Sequence, residues 1–187
     1  MTMPTTRFAR PTFGQLTAAT LAMAAVVLAS NILVQYALND WLTWGAFTYP
    51  VAYLVSDLVN RRFGPGTARR VAWVGFAVAV GVSLLLAPAR IAAASGLAFI
   101  ASQLLDIGVF DRLRRGLWWR APLVATVIAA VLDSIVFWGI AFAGTDGPWL
   151  TWALGDLAVK LAVGVLMLLP FRLLIGRQAA RASALGH

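Results

Sequence analysis

Six ionisable side chains fall within or at the ends of long apolar runs: Asp57, Asp106, Asp133, Asp156, Arg90 and Lys160. A charge at the centre of a bilayer costs roughly 2.5–3.5 kcal/mol on insertion scales unless it is paired or hydrated, so each of these residues needs a reason. At 1.5 Å rise per residue, Asp133 and Lys160 sit near mid-membrane, Asp57 and Asp106 towards one end, and Arg90 and Asp156 towards the other. That layering matches the lining of a polar pathway. All seven acidic residues are aspartates, cysteine is absent, and the single histidine, His187, ends the chain. Thiolate, disulfide and cysteine–zinc chemistry are therefore excluded. Paired carboxylates on neighbouring helices would suit acid/base work, but no histidine, cysteine or metal-ligand spacing supports an intramembrane enzyme, and no cofactor is called for. The sequence also lacks a G-x-x-x-x-G-K-[ST] loop, so the chain hydrolyses no nucleotide by itself.

Each charged residue also has a plainer role. Asp156 and Lys160 are spaced i,i+4 with the acid first, and that spacing lets them neutralise one another on one helix face. Asp57 precedes Asn60-Arg61-Arg62, where an interfacial carboxylate pairs readily with a loop arginine. Asp106 has Ser102 and Gln103 one turn back, which fits an interhelical hydrogen-bond cluster as well as a site wall. Asp133, followed by Ser134 and flanked by apolar residues, lies deepest and has the strongest claim to function. Trp41, Trp44, Trp118, Trp119 and Trp149 fall at the ends of apolar runs, as an aromatic belt requires. Phe99, Phe110, Phe137 and Phe142 suit packing.

The elements that must position these groups follow from composition. With 61% hydrophobic and 12% charged residues and a mean hydropathy of +0.83, the chain is no ordinary soluble domain. Crossing about 30 Å of hydrocarbon takes about 20 residues, and six such runs lie near 17–38, 42–60, 71–89, 90–110, 121–143 and 149–173. Asn39-Asp40, Arg61 to Gly66 and Ala87-Pro88-Ala89-Arg90 punctuate the first four. Thirteen of the fifteen Lys and Arg residues fall in alternate connections: Arg7 and Arg10; Arg61, Arg62, Arg69 and Arg70; Arg112, Arg114, Arg115 and Arg120; Arg172, Arg177 and Arg181. The positive-inside rule places these four segments in the cytoplasm, and the net charge of +8 thus follows topology and not a nucleic acid. The first run has a rival reading as a cleavable signal peptide, but five further spans favour its retention. The expectation is an all-α, multi-pass membrane protein: a compact bundle of six transmembrane helices forming a single domain over 1–187, both termini cytoplasmic. Ala29-Ser30-Asn31-Ile32-Leu33 echoes Ala101-Ser102-Gln103-Leu104-Leu105, which raises a three-plus-three inverted repeat.

The order of polar residues also carries a resemblance. Ser30-Asn31-Ile32-Leu33-Val34-Gln35, Thr43 to Pro50, Ser56-Asp57-Leu58, Arg61-Arg62-Phe63-Gly64 and Ala68-Arg69-Arg70 resemble the first half of the bacterial queuosine precursor transporter family, also called the vitamin uptake transporter family. Ala89 to Ser95, Gln103 to Ile107, Val109-Phe110, Arg112-Leu113-Arg114, Trp118-Trp119, Ala121-Pro122, Asp133-Ser134, Ile140-Ala141-Phe142, Lys160 and Pro170 continue it. The departures are a compressed third-to-fourth connection and Arg61 in place of a non-basic residue. The resemblance implies import of 7-cyano-7-deazaguanine and 7-aminomethyl-7-deazaguanine across the inner membrane.

Under that implication, Asp133 or Asp106 would accept from the paired N–H and amino donors of a guanine-like edge. Asn31 or Gln103 would donate to the ring carbonyl, and Phe47, Tyr49, Phe99 or Phe137 would stack on the ring face. Asp57, Ser134 and Lys160 complete the substrate-binding set, and a second carboxylate would suit a cationic aminomethyl group. Arg90 would hold an acidic partner such as Asp156, orient a gate, or snorkel. Energy coupling stays open among facilitated diffusion, proton or ion coupling, and service as the substrate-binding subunit of an ATP-driven importer. Ala18/Ala22 and Ala25/Ala29 on the first helix suit a coupling partner, packing within the bundle, or a homodimer.

Overall fold

The computed structural model describes residues 8–86 and 88–184, so Arg7, Ala87 and His187 lie outside it, as do the side chains of Arg177 and Arg181. The described residues form six long helices, one single-turn helix and a small hairpin: α1 (Phe13–Leu33), β1 (Ala37–Asn39), β2 (Leu42–Thr43), α2 (Gly45–Thr48), α3 (Pro50–Phe63), α4 (Pro65–Leu86), α5 (Ala89–Leu113), α6 (Arg120–Ala141) and α7 (Trp149–Ala184). Among the described residues α1, α5, α6 and the Trp149–Gly176 part of α7 are long and apolar enough to cross a membrane. This is an all-helical architecture of the multi-pass membrane kind.

α1 opens on a capping box in which Thr12 and Gln15 each bond the other's backbone N–H, satisfying two of the free donors at a helix start. It stops at Leu33, short of the expected residue 38. The reason is local. The Gln35 side chain donates to the Asn31 carbonyl, and Asn39 accepts from the Trp41 N–H at 2.8 Å, so polar side chains take over the backbone bonds that a helix would use. The intervening segment becomes the antiparallel β1–β2 hairpin.

The second apolar run is likewise not one unbroken helix. Pro50 has no N–H to donate, and the ladder lapses at Tyr49 while Tyr49 itself keeps helical angles. α2 and α3 therefore follow one another over 45–63 with a rise of about 28 Å, close to a hydrocarbon thickness. Gly64, at φ +84°, ends α3 in a conformation that L side chains resist, and the Phe8 ring packs where a side chain would stand.

Hydrogen bonds between helices give their directions. Ser56 donates to Gln103 and Asn60 to the Ile107 carbonyl; pairing numbers that rise together mean that α3 and α5 run parallel. Ser102 donates to Asp133, while Arg90 reaches Ile140 and Ala143, so α5 and α6 are antiparallel, as are α6 and α7 through Ser134–Asp156 and Asp133–Lys160. The tips of α3 and α5 are clasped: Arg114 donates to the Asn60 carbonyl at 2.5 Å, and Arg61 to the Arg114 carbonyl at 2.8 Å. Two arginines thus satisfy helix-end carbonyls.

Small residues let the helices close. A Cβ on Gly155 would stand 1.9 Å from the Trp41 carbonyl oxygen, so only glycine lets the hairpin lie across α7. Thr151 adds a bond to the Asp40 carbonyl at 3.0 Å. Around Met23, Val27, Tyr53, Phe99 and Ile107 the interior is apolar.

Candidate functional site

The deepest charges converge. Lys160 on α7 lies 2.7 Å from Asp133 Oδ2 on α6 and 2.5 Å from Asp156 Oδ2 one turn back. All three side chains are almost fully buried. Asp133 Oδ1 accepts from Ser102 on α5 at 3.3 Å. Asp156 Oδ2 also accepts from Ser134 at 3.2 Å and from Trp138 Nε1 at 3.1 Å. Three donors thus meet on one oxygen, leaving Asp156 Oδ1 outside these bonds. The Lys160 ammonium further sits 4.9 Å from the centre of the Tyr49 ring, a cation–π contact.

Two carboxylates against one ammonium leave this centre with one net negative charge in ionised form. An ammonium gripped by both aspartates, with hydroxyl and indole donors around them, is the fully partnered arrangement that buried charge requires. Helix spacing builds it: Asp156 and Lys160 share one face of α7, while Ser134 and Trp138 share one face of α6.

A pocket opens onto this cluster at the hairpin end of the bundle, with about 320 Å³ of space counting its mouth. Its working surfaces are Asp133, Asp156 and Lys160, the Asn31 amide, and the Tyr49 and Phe137 rings. Ser95 donates to Asn31 Oδ1, which points the amide's donor nitrogen away from that bond. Gly45 belongs to the wall, and a Cβ there would press to 2.9 Å from Val34, so close approach of α2 to the end of α1 shapes this side.

The sequence-named residues divide into three groups. Asp133, Asn31 and Lys160 line the pocket, and Ser134 braces Asp156 from behind. Asp57, Asp106 and Gln103 form a second buried group between α3 and α5, further along the bundle. The remaining three stand apart. Phe47 is 41% exposed and packs beside Trp44. Phe99 is fully buried, stacked on Phe76 with 8° between the ring planes. Arg90 is exposed and donates to the Ile140 and Ala143 carbonyls at 2.8 and 2.7 Å.

Two expected pairings are corrected. Arg90 does not hold Asp156, because Lys160 already does and the free carbonyls at the end of α6 draw the guanidinium. Among the described residues no loop arginine forms an ion pair with Asp57; Arg61 reaches the Arg114 carbonyl instead. The i,i+4 pair of Asp156 and Lys160 does form, but as part of a three-member cluster. Asp156, Ser95 and Trp138 were missing from the site set. Asp156 had a signal in its spacing to Lys160, whereas Ser95 and Trp138 had none beyond polarity within an apolar run.

Comparison with known proteins completes the description of the site. A family described as "Putative vitamin uptake transporter" matches residues 43–89 and 82–175. The queuosine precursor transporter of Escherichia coli is 34% identical over 176 residues, covering 78% of this chain and 79% of that protein. The probable queuosine precursor transporter of Haemophilus influenzae is 32% identical over 186 residues, with 78% and 79% covered. That of Bacillus subtilis is 28% identical over 156 residues, with 67% and 68% covered. No solved structure matches.

Proposed function

Because the chain belongs to the vitamin uptake transporter family, a family of membrane transporters and not of enzymes, we propose that it imports queuosine precursors. In this reading 7-cyano-7-deazaguanine and 7-aminomethyl-7-deazaguanine cross the bacterial inner membrane through a single transmembrane domain spanning 1–187. Six crossings, with α2 and α3 together making the second, put both termini in the cytoplasm. The alternation of basic segments supports that orientation, and the pocket then faces outward. An inverted repeat would relate α1 through α4 to α5 through α7.

The observation that carries the substrate reading is the negative cluster walled by two aromatic rings. A 7-deazaguanine edge presents an N–H and an amino group side by side, and a carboxylate can accept from both. Asp156 Oδ1 and Asp133 are the acceptors on offer, held in place by Lys160, Ser134, Trp138 and Ser102. The Asn31 amide suits the ring carbonyl, and the Tyr49 and Phe137 rings suit stacking on the heterocycle. The net negative charge favours the cationic aminomethyl form. No observation favours the alternative of an ATP-driven importer subunit.

The test is complementation of a cell that neither makes nor imports 7-deazaguanine precursors. Each precursor is fed separately at low concentration, and queuosine in tRNA is assayed. Restored modification is expected with both. Absence of modification despite verified membrane expression would sink the substrate assignment.

A further inference from the structure

A second polar centre lies outside the pocket and lacks what the first one has. Asp57 on α3 and Asp106 on α5 are 2% and 0% exposed, and both lie on the seam that the Ser56–Gln103 and Asn60–Ile107 bonds hold together, next to Ser56 and Ile107 respectively. Asp57 Oδ1 and both oxygens of Asp106 have no donor beside them. Ionised carboxylates only accept, so two facing each other make no bond until one keeps a proton. Two carboxyls this deeply buried, with no cation beside them, are stable there only if a proton is held with them.

No cation stands in for that proton. Among the described residues Lys160 is engaged by Asp133 and Asp156 and Arg114 by Asp111, and no lysine or arginine of α1, α4, α6 or α7 forms an ion pair with Asp57 or Asp106. The other titratable group near Asp106 is Tyr53 on α3, while Asp133, Asp156 and Lys160 belong to the pocket cluster.

The surroundings are built for a small, exchangeable occupant. Gln103 Nε2 and Asn60 Oδ1 are fully buried and unpartnered. They lie one helical turn from Asp106 and Asp57 respectively, on the same faces. Gln103 Oε1 is held by Ser56 at 2.6 Å, which fixes its amide between the two helices. A metal ion would want more oxygens than two carboxyls and an amide supply. A narrow, largely apolar cleft of about 240 Å³ counting its mouth reaches Asp57 from α6 and α7, past Pro122, Thr126, Gly164 and Phe171.

The group is also mechanically tied to the pocket. Ser102, adjacent to Gln103 on α5, donates to Asp133 of the pocket cluster. α5 is therefore shared by the two centres.

We propose that Asp57 and Asp106 form the proton-carrying site of the transporter, sharing one proton that travels inward with each substrate molecule. This rests on the transport reading above. The proton enters from outside, is held between the carboxyls while the helices are closed, and leaves to water when the cytoplasmic ends of α3 and α5 separate.

Two measurements on purified protein in lipid test it. Infrared spectroscopy at neutral pH is expected to show the carbonyl stretch of a protonated carboxyl, lost in the Asp57→Asn/Asp106→Asn double variant; its absence from the wild type overturns the proposal. In proteoliposomes, with labelled 7-cyano-7-deazaguanine as probe, a one-unit acid-outside gradient is expected to sustain about tenfold accumulation by the wild type. A protonophore should abolish this and a sodium gradient should not replace it. Asp106→Asn and Asp57→Asn should lose the accumulation yet still exchange internal for external probe. Accumulation driven by sodium, or variants that melt as the wild type does but lose exchange as well, would overturn the proposal. A wild type that moves no probe counts against the transport reading and against coupling to this substrate, while the infrared band still decides whether the pair holds a proton.

Discussion

The Asp133–Lys160–Asp156 cluster and the Asp57–Asp106 pair use the same acidic side chain at the same degree of burial, yet they are compensated in opposite ways. In the first, an ammonium lies within 2.7 Å of both carboxylates, and three further donors converge on them. In the second, among the described residues, no donor or cation reaches three of the four carboxyl oxygens. Burial alone therefore does not say what a membrane carboxylate does; its partners do. A fully partnered group presents a fixed surface to a ligand, whereas an unpartnered pair leaves a cost of burial that a bound proton would relieve.

The largest effect that would break this contrast comes from Lys160→Met. Removing the cation strands two carboxylates, a loss of about 3–5 kcal/mol; the variant should show a sharply lowered melting temperature in detergent and no uptake. Adding Asp156→Asn should recover part of the stability, because Asp133 alone is then stranded, and leave uptake absent, and an unchanged melting temperature in the single variant would mean that the ion triad does not exist.

Asp133→Asn should preserve insertion, because Lys160 keeps Asp156. It should abolish measurable uptake by removing a charged acceptor of about 1.5–3 kcal/mol, roughly tenfold or more in affinity. Near-normal uptake by this variant would remove Asp133 from the recognition site.

Gly155→Ala tests the frame of the pocket and not its charge. The added Cβ would collide with the Trp41 carbonyl, and overpacking of this kind costs about 1–3 kcal/mol. Thermal melting should fall while the charge cluster stays intact.

Asp106→Asn sharpens the contrast from the other side. Its amide can donate to Asp57, so folding stability should hold or rise by about 1 kcal/mol. A drop of the size expected for Lys160→Met would show that the two centres are alike after all.

The smallest effect belongs to Phe47→Ala. The ring is 41% exposed and packs beside Trp44, away from the pocket lining, so stability should change by no more than about 0.5 kcal/mol and uptake should stay close to wild type. A severe loss of uptake would bring Phe47 back to the substrate.

Apolar run length made the helices legible to within a few residues over 90–110 and 121–143, because lipid-facing segments must satisfy their backbone internally and so leave length as their signature. It read less well at 34–50, where Asn39, Gln35 and Pro50 redirect single hydrogen bonds that no hydropathy average registers. The i,i+4 pairing of Asp156 with Lys160 was legible for the same reason that helices were: it is local. The third member, Asp133, lies 27 positions from Lys160 and comes beside it only when α6 and α7 pack antiparallel.

By itself, then, the sequence determined the class, the approximate spans, the topological bias of its basic residues and the inventory of costly charges, since each depends on composition and near neighbours. Which of those charges neutralise one another, which line the pocket, and which pair is left without a partner were decided only by the tertiary structure, because the energy of a buried charge depends on groups within a few ångströms whatever their distance along the chain.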